Sequence, residues 1–286
     1  MPSGKPWRGG PIAYNGAMKI ASWNVNSLKV RLPHLLQWLD SARPDVVALQ
    51  ETKLEDERFP AAELAEAGYQ AVFSGQRTYN GVALLARRGS VEALTDIATD
   101  VPGMEDPQRR VLAASVHAPS ARLQQPLRVV NLYVVNGKAV GDVKYAYKLD
   151  WMARMREFLA AELARNPRLV VLGDFNICPD DRDVYDAAAW GDDILCSPPE
   201  RLALTAITEL GLHDSFRLLE AGEGHYSWWD YRQGAFRRNM GLRIDLILVA
   251  DALKSVVRAV SIDREPRRWE RPSDHAPVTL ELDSGI

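Results

Sequence analysis

Cysteine is nearly absent: Cys178 and Cys196 are the only two in 286 residues. Neither belongs to a Cys-x-x-Cys pattern or lies near a histidine pair, so a zinc site of the usual kind is not expected. Two free thiols suit a reducing compartment, and a cytoplasmic location is the expectation. Long apolar runs are missing as well. None approaches the ~20 residues that a membrane span requires, so no membrane partner is expected. Residues 1–17 carry Gly and Pro but no apolar h-region, which argues against a secretory signal. They read as a flexible N-terminal extension ahead of Met18. An excess of positive charge is also lacking. A formal net charge of −3 excludes a uniformly basic nucleic-acid binder but not local basic faces. Basic residues gather at Arg109–Arg110, Lys138–Lys148, Arg237–Arg243 and Arg264–Arg271, and acidic ones at Glu51–Glu57 and Asp180–Asp193. Each cluster also reads as an ordinary solvated face.

What is present is a large core. Hydrophobic residues make up 47% of the chain and include eight tryptophans. Lys19–Trp23 predicts a strand, and Leu32, Leu35, Leu36 and Leu39 recur at helical spacing until Arg43-Pro44 stops them. Val46–Leu49 predicts a second buried strand, followed by a helix over Pro60–Ala67 that closes at Gly68. Further strands are expected at Gln70–Ser74, Gly81–Ala86, Val111–His117 and Arg128–Tyr133. Tyr145–Arg165 predicts the longest helix, with Trp151, Met155, Phe158 and Leu159 on one stripe. After a strand at Leu169–Leu172, Ser197-Pro198-Pro199-Glu200 has capping-box spacing and opens a helix that runs to Gly211. The last strands are expected near Tyr226–Trp229, Leu242–Val249, Val256–Ile262 and Ala276–Leu282. Strands outnumber helices, and hairpins mix with crossovers. The pattern predicts an α/β sandwich of two packed mixed sheets with helices outside. Each half runs strand, polar tip, helix, strand, which hints at duplication. With no linker-like shift in composition, residues 18–286 are expected to form one domain.

Several apolar runs end or begin in residues that a core would not choose. The run Leu169-Val170-Val171-Leu172 breaks at Gly173, and Asp174 and Asn176 follow two residues apart. At that spacing both can face one side of an extended backbone. An acid beside an amide donor suits phosphate-ester hydrolysis, and Gly-Asp with Asn equally suits a turn. Asn24 follows the first strand, Glu51 the second, and Tyr133 closes the strand from Arg128. Glu51 also reads as a surface carboxylate and Tyr133 as a half-buried strand residue. Asp245 lies inside Leu242-Arg243-Ile244-Asp245-Leu246-Ile247, where a carboxylate is costly without a partner. Asp274-His275 precedes the last strand. If that strand runs antiparallel to the others, its start meets their ends and all these groups share one cleft. His275 also reads as a satisfied structural histidine, but Asp274 beside it and Asp245 as its partner favour a catalytic one.

Taken in order, Ser22-Trp23-Asn24-Val25-Asn26, Leu49-Gln50-Glu51-Thr52-Lys53, Gly173-Asp174-Phe175-Asn176, Leu242-Arg243-Ile244-Asp245 and Ser273-Asp274-His275-Ala276-Pro277 form a series. The series resembles the exonuclease III branch of the endonuclease/exonuclease/phosphatase superfamily, the relatives of deoxyribonuclease I. Ser227-Trp228-Trp229-Asp230-Tyr231-Arg232 adds a match to that branch. The resemblance spans about Met18 to Leu282. It implies a four-layer sandwich that cuts phosphodiesters at abasic sites and at the 3′ ends of duplex DNA as a monomer, with Mg²⁺ and with Mn²⁺ as a substitute. On the matching positions, Glu51 would be the main metal ligand. Asn24, Asp174, Asn176 and Asp274 would complete its surroundings directly or through water. Asp245 would orient His275, Asp174 would position or deprotonate the attacking water, and Asn176 and Tyr133 would contact the phosphate. Asn136 would touch substrate, and Trp228, Leu242 and Ile244 would line a pocket for the flipped sugar. Whether Asp174 or His275 is the base stays open.

One departure is Val135 in Tyr133-Val134-Val135-Asn136-Gly137, where the family has proline. The pocket also carries a parity problem. Leu242 and Ile244 share a face by their period of two, whereas Asp245 points away from them unless the strand twists or bulges there. Core packing is the alternative for all three apolar residues. A phosphatase acting on lipids, inositol phosphates or nucleotides, and a catalytically silent DNA-binding relative, are the competing functional readings.

Overall fold

The structure is a computed structural model and describes residues 16–104, 106–119 and 123–283. Most of the expected extension, residues 1–15, lies outside the described residues. The elements are β1 (Met18–Asn24), α1 (Leu28–Ala42), β2 (Val46–Gln50), α2 (Ala61–Glu66), β3 (Tyr69–Ser74), β4 (Val82–Arg87), β5 (Ala93–Ala98), β6 (Val111–His117) and β7 (Leu127–Tyr133). There follow α3 (Val143–Arg165), β8 (Leu169–Asp174), a helix over Pro198–Thr208, β9 (Leu212–Asp214), β10 (Asp245–Ala250), β11 (Val257–Ile262) and β12 (Val278–Leu282). Two six-stranded sheets result, ordered β11-β12-β1-β2-β4-β3 and β5-β6-β7-β8-β10-β9. Each is mixed, with one parallel pair, β1–β2 or β7–β8, joined through a helix. That repeated unit is the strand, tip, helix, strand pattern of the two halves.

Residue alternation decides which layer each side chain enters. Ile20, Val46, Ala48, Val129, Val170 and Leu172 point between the sheets and form the central cluster. Their neighbours Ala21, Trp23, Val47 and Leu49 point outward against Leu35, Trp38 and Leu39 of α1. On the other side Val130, Leu132, Leu169 and Val171 meet Trp151, Met155, Phe158 and Leu159 of α3. The order helix, sheet, sheet, helix is the four-layer sandwich, and strands covered on both faces explain the unbroken apolar runs. Helix α1 stops at Arg43, whose φ of 48° and N–H to Leu39 O make a left-handed cap, as Arg43-Pro44 implied. Among the described residues no helix is long and apolar enough to cross a membrane.

Short β9 was not expected from the sequence, and two further segments differ from the expectation. β5 has no apolar run, because it is an exposed edge strand with an irregular register between Thr95 and Ala98. The expected strand at Tyr226–Trp229 is not regular; Trp228 instead makes single bridges to Leu242 and His275. Polar bonds also cross the sandwich. Buried Gln50 donates to Asn131 Oδ1 at 2.8 Å, and Asn131 donates to the carbonyls of Leu49 and Ala83 at 2.9 and 3.0 Å. These bonds satisfy groups that would otherwise be stranded in the core, and they fix the register of one sheet on the other.

Gly173 sits in the β7–β8 ladder opposite Leu132 with φ of 146°, and a Cβ there would lie 1.8 Å from the Leu132 carbonyl oxygen. Only glycine suits that backbone and that approach. Gly173→Ala is expected to lose roughly 1–3 kcal/mol from backbone strain alone, with the clash in addition. Thermal unfolding of the variant tests this, and a wild-type melting temperature would contradict it.

Candidate active site

Strand direction gathers the polar tips. β1 and β2 run parallel and end at Asn24 and Gln50, while β7 and β8 run parallel and end at Tyr133 and Asp174. β12 runs against β1, and β10 runs against β8 with Asp245 paired to Asp174. The starts of the returning strands therefore meet the ends of the outgoing ones. Past Gln50 the backbone turns left-handed at Glu51 (φ 53°) and again at Lys53 (φ 54°). Thr52 N–H to Gly81 O and Lys53 N–H to Asn80 O, at 3.1 and 2.9 Å, hold that bend.

One amide joins the two sheets here. Asn24 Nδ2 donates to Glu51 Oε1 and to Asp174 Oδ2, both at 2.9 Å. Its Oδ1 accepts the Asn26 N–H at 2.9 Å. Glu51 Oε2 meets the Lys53 ammonium at 2.7 Å, and that ammonium also donates to Asn26 Oδ1 at 2.6 Å. Asn26 in turn donates to Asp274 Oδ1 at 2.9 Å, and Trp228 Nε1 donates to Asp274 Oδ2 at 3.0 Å. Burial works to raise the Asp274 carboxyl, but His275 and these two donors hold it below the usual carboxylate range.

Asp245 is buried with two partners. His275 Nδ1 lies 2.9 Å from its Oδ2, and the Ser227 hydroxyl donates to the same oxygen at 2.7 Å. The expected pairing of Asp245 with His275 is thus present in the geometry. His275 Nε2 faces Asp174 Oδ2 at 3.8 Å, too far for a hydrogen bond and close enough for charge attraction. Burial alone would lower the imidazole, but Asp245, Asp174 and Asp274 together raise it to about 10. Burial pushes the Asp174 carboxyl up to about 7; His275 opposes that shift, Asp245 and Glu51 add to it, and the Asn24 bond opposes it. Tyr133 is pushed well above its ordinary range by burial and then by Glu51 and Asp174, so it stays a neutral hydroxyl. Arg110 stacks 4.8 Å over its ring.

The Asn176 side chain completes this face. Its Nδ2 donates to Val134 O, and its Oδ1 accepts from Asn136 Nδ2, both at 3.0 Å. Asn136 is exposed, and Asn176 is buried with φ of 49°. Glu51, Asp174 and His275 each offer a ligand atom within 4.8 Å of the others. His275 already engages Asp245 through Nδ1, and Glu51 and Asp174 offer hard carboxylate oxygens. Those oxygens fit a small divalent cation.

The apolar trio lies beside this cluster but is not an open pocket. Leu242 is 0% and Ile244 2% exposed, packed with Val184, Leu195 and both cysteines, while Trp228 is partly exposed at the edge. The parity problem resolves because regular β10 begins only at Asp245. Just before it the chain is irregular, with Ser227 Oγ accepting the N–H groups of both Ile244 and Asp245. Three participants escaped the sequence reading of single positions: Asn26, Lys53 and Ser227. Asn26 and Lys53 each stand two residues beyond a flagged tip, and Ser227 begins the Trp228 motif, so spacing was the available signal.

Comparison with known proteins gives the same picture. The sequence profile of the Endonuclease/Exonuclease/phosphatase family matches residues 21–275. Exodeoxyribonuclease III of Haemophilus influenzae is 34% identical over 274 residues, covering 93% of this chain and 100% of its own. Among solved structures, a 3′ phosphatase from Neisseria bound to a product DNA hairpin is 46% identical with a TM-score of 0.87, covering 93% of this chain and 99% of that one. An AP endonuclease from Archaeoglobus fulgidus is 32% identical with a TM-score of 0.85, again over 93% of this chain and 99% of the other. With the strand-end carboxylates, the Asp245–His275 pair and the two mixed sheets all in place, the chain belongs to the endonuclease/exonuclease/phosphatase family.

Proposed function

We propose that this chain is a divalent-metal-dependent DNA-repair phosphodiesterase. On this reading it removes nucleotides or blocking groups from the 3′ ends of duplex DNA and incises the backbone at abasic sites. The observation that carries the reading is the convergence of Glu51, Asp174 and His275, whose ligand atoms lie within 4.8 Å of one another, with Asp174 accepting from Asn24 Nδ2 and the Asn176 N–H at 2.9 Å. Asp174 then takes a proton from the attacking water. His275 is kept charged by three carboxylates, so it donates to the phosphate instead of acting as base, and Asp245 fixes its ring. Asn176 and neutral Tyr133 donate to phosphate oxygens. Glu51, with Asp174 and Asp274 nearby, would hold Mg²⁺ or Mn²⁺, which would supply charge stabilisation at the phosphate.

Several features support DNA as substrate. The names of the relatives concern DNA ends and AP sites, and Tyr79 and Tyr231, 68% and 53% exposed, present aromatic surface at the rim. Backbone bonds tie the Tyr79 loop to Lys53 and Arg109, and the Tyr231 hydroxyl accepts from Asn26 and Arg31. Trp228, partly exposed at the edge, is then a wall of the sugar site, and Leu242 and Ile244 support it from the packed cluster behind. The same reading takes residues 18–286 as one catalytic domain acting as a monomer in the cytoplasm.

Three measurements test it. A labelled duplex with a 3′-phosphate or one abasic site should be processed with Mg²⁺ and not with chelator, and cleavage should weaken steeply with salt through counterion release. Turnover of inositol phosphates with no action on duplex would overturn the DNA assignment. Glu51→Gln should weaken metal binding by titration calorimetry and lose most activity, with partial recovery at excess Mg²⁺ or Mn²⁺. Unchanged metal affinity would remove Glu51 from the ligand set. Asp245→Asn and His275→Asn should each cost roughly 10²–10⁴ in rate. The double variant should cost far less than their product, since the two act as a unit. Losses that multiply would separate them.

A further inference from the structure

Lys148 is a cation that the chemistry above does not use. It lies on α3 with its side chain 0% exposed. A lone buried ammonium is costly, so its three N–H groups must be matched. They are: the Nζ donates to Asn176 O at 2.7 Å, to Asn136 O at 3.2 Å and to the Glu200 carboxylate. Glu200 is also 0% exposed, and its other oxygen accepts from Ser197 N at 3.1 Å and Ser197 Oγ at 2.5 Å. Ser197 Oγ pairs with Tyr145 OH at 2.7 Å, which returns the network to α3.

The two carbonyls that Lys148 holds belong to the two residues whose side chains bond each other on the substrate face. Asn136 leaves β7 and Asn176 leaves β8, on separate loops. Asn176 is in a left-handed conformation, which is not a relaxed state for an isolated loop. Next to Asn136, Gly137 has φ of 89°, and a Cβ there would come within 3.0 Å of Lys148 Cδ, so the loop is packed tightly onto this side chain.

We propose that Lys148 is a positioning residue for phosphoester hydrolysis. By clamping the backbones of residues 136 and 176 from beneath, it aims the Asn176 amide at the scissile phosphate, with Glu200 neutralising the charge. The inference rests on Asn176 contacting the phosphate.

The test is a set of variants assayed on a 3′-phosphate duplex, well below the melting temperature of each. Lys148→Met alone strands the Glu200 charge and can unfold the protein. Lys148→Met/Glu200→Gln removes both charges together and serves as the folded comparison. Its kcat is expected to fall roughly 10²-fold, because a displacement of about 1 Å at the reacting group is enough for that loss. Its KM should change much less. Asn176→Ala should be severe in the wild type and nearly silent in the Lys148→Met/Glu200→Gln background, since the amide is already misaimed. Wild-type kcat in the folded pair variant, or losses that multiply with Asn176→Ala, would overturn the clamp. A harmless Asn176→Ala in the wild type would instead overturn the phosphate role on which the clamp depends.

Discussion

The side-chain amide of Asn24 is the contact on which the shape of the site depends. It sets a carboxylate from one sheet and a carboxylate from the other within a single hydrogen-bonding reach. Two anions that close repel, and the interior strengthens the repulsion. The chain relieves it in three ways. Glu51 is neutralised by the Lys53 ammonium, Asp245 by the imidazolium of His275, and Asp174 by its tendency to hold a proton near neutral pH. What remains is a cluster that is electrostatically balanced at rest and ready to accept further positive charge.

That balance needs the two sheets to be held in fixed register. Apolar contact between them is insensitive to small slides, so it cannot set the position of Asn24 against Asp174 by itself. The Gln50–Asn131 bonds lie directly behind the site, next to Glu51 and two residues before Tyr133, and they are directional. Gly173 permits the close approach of β7 and β8 on the second sheet, so Tyr133 and Asp174 end level with each other.

Much of this was legible in the sequence. Strands buried on both faces leave apolar runs whose polar ends are conspicuous, so Asn24, Glu51, Asp174, Asp245 and His275 could be picked out singly. Antiparallel return was enough to place Asp245 and His275 together. The edge strand β5 was not legible because an exposed, irregular strand has no alternation to read. Nor could spacing reveal the partners of Lys148, since Glu200 is far along the chain and belongs to a capping box that explains it locally. The burial of Leu242 and Ile244 depended on Val184 and Leu195, whose loop carries no apolar period.

The place of β12 has a consequence for synthesis. This strand, residues 278–282, pairs with β1 on one side and β11 on the other, so residues 18–22 wait for residues 278–282 before their sheet can close. Asp274 and His275 arrive only with that last segment. A chain still on the ribosome can complete the second sheet, β5 to β10, while the first lacks its closing strand. The polar cluster is therefore assembled from segments of this domain that are translated early and late. A product truncated before residue 275 carries Glu51 and Asp174 but lacks the imidazole that faces Asp174 and pairs with Asp245, so the polar cluster stays incomplete until the last strand is made.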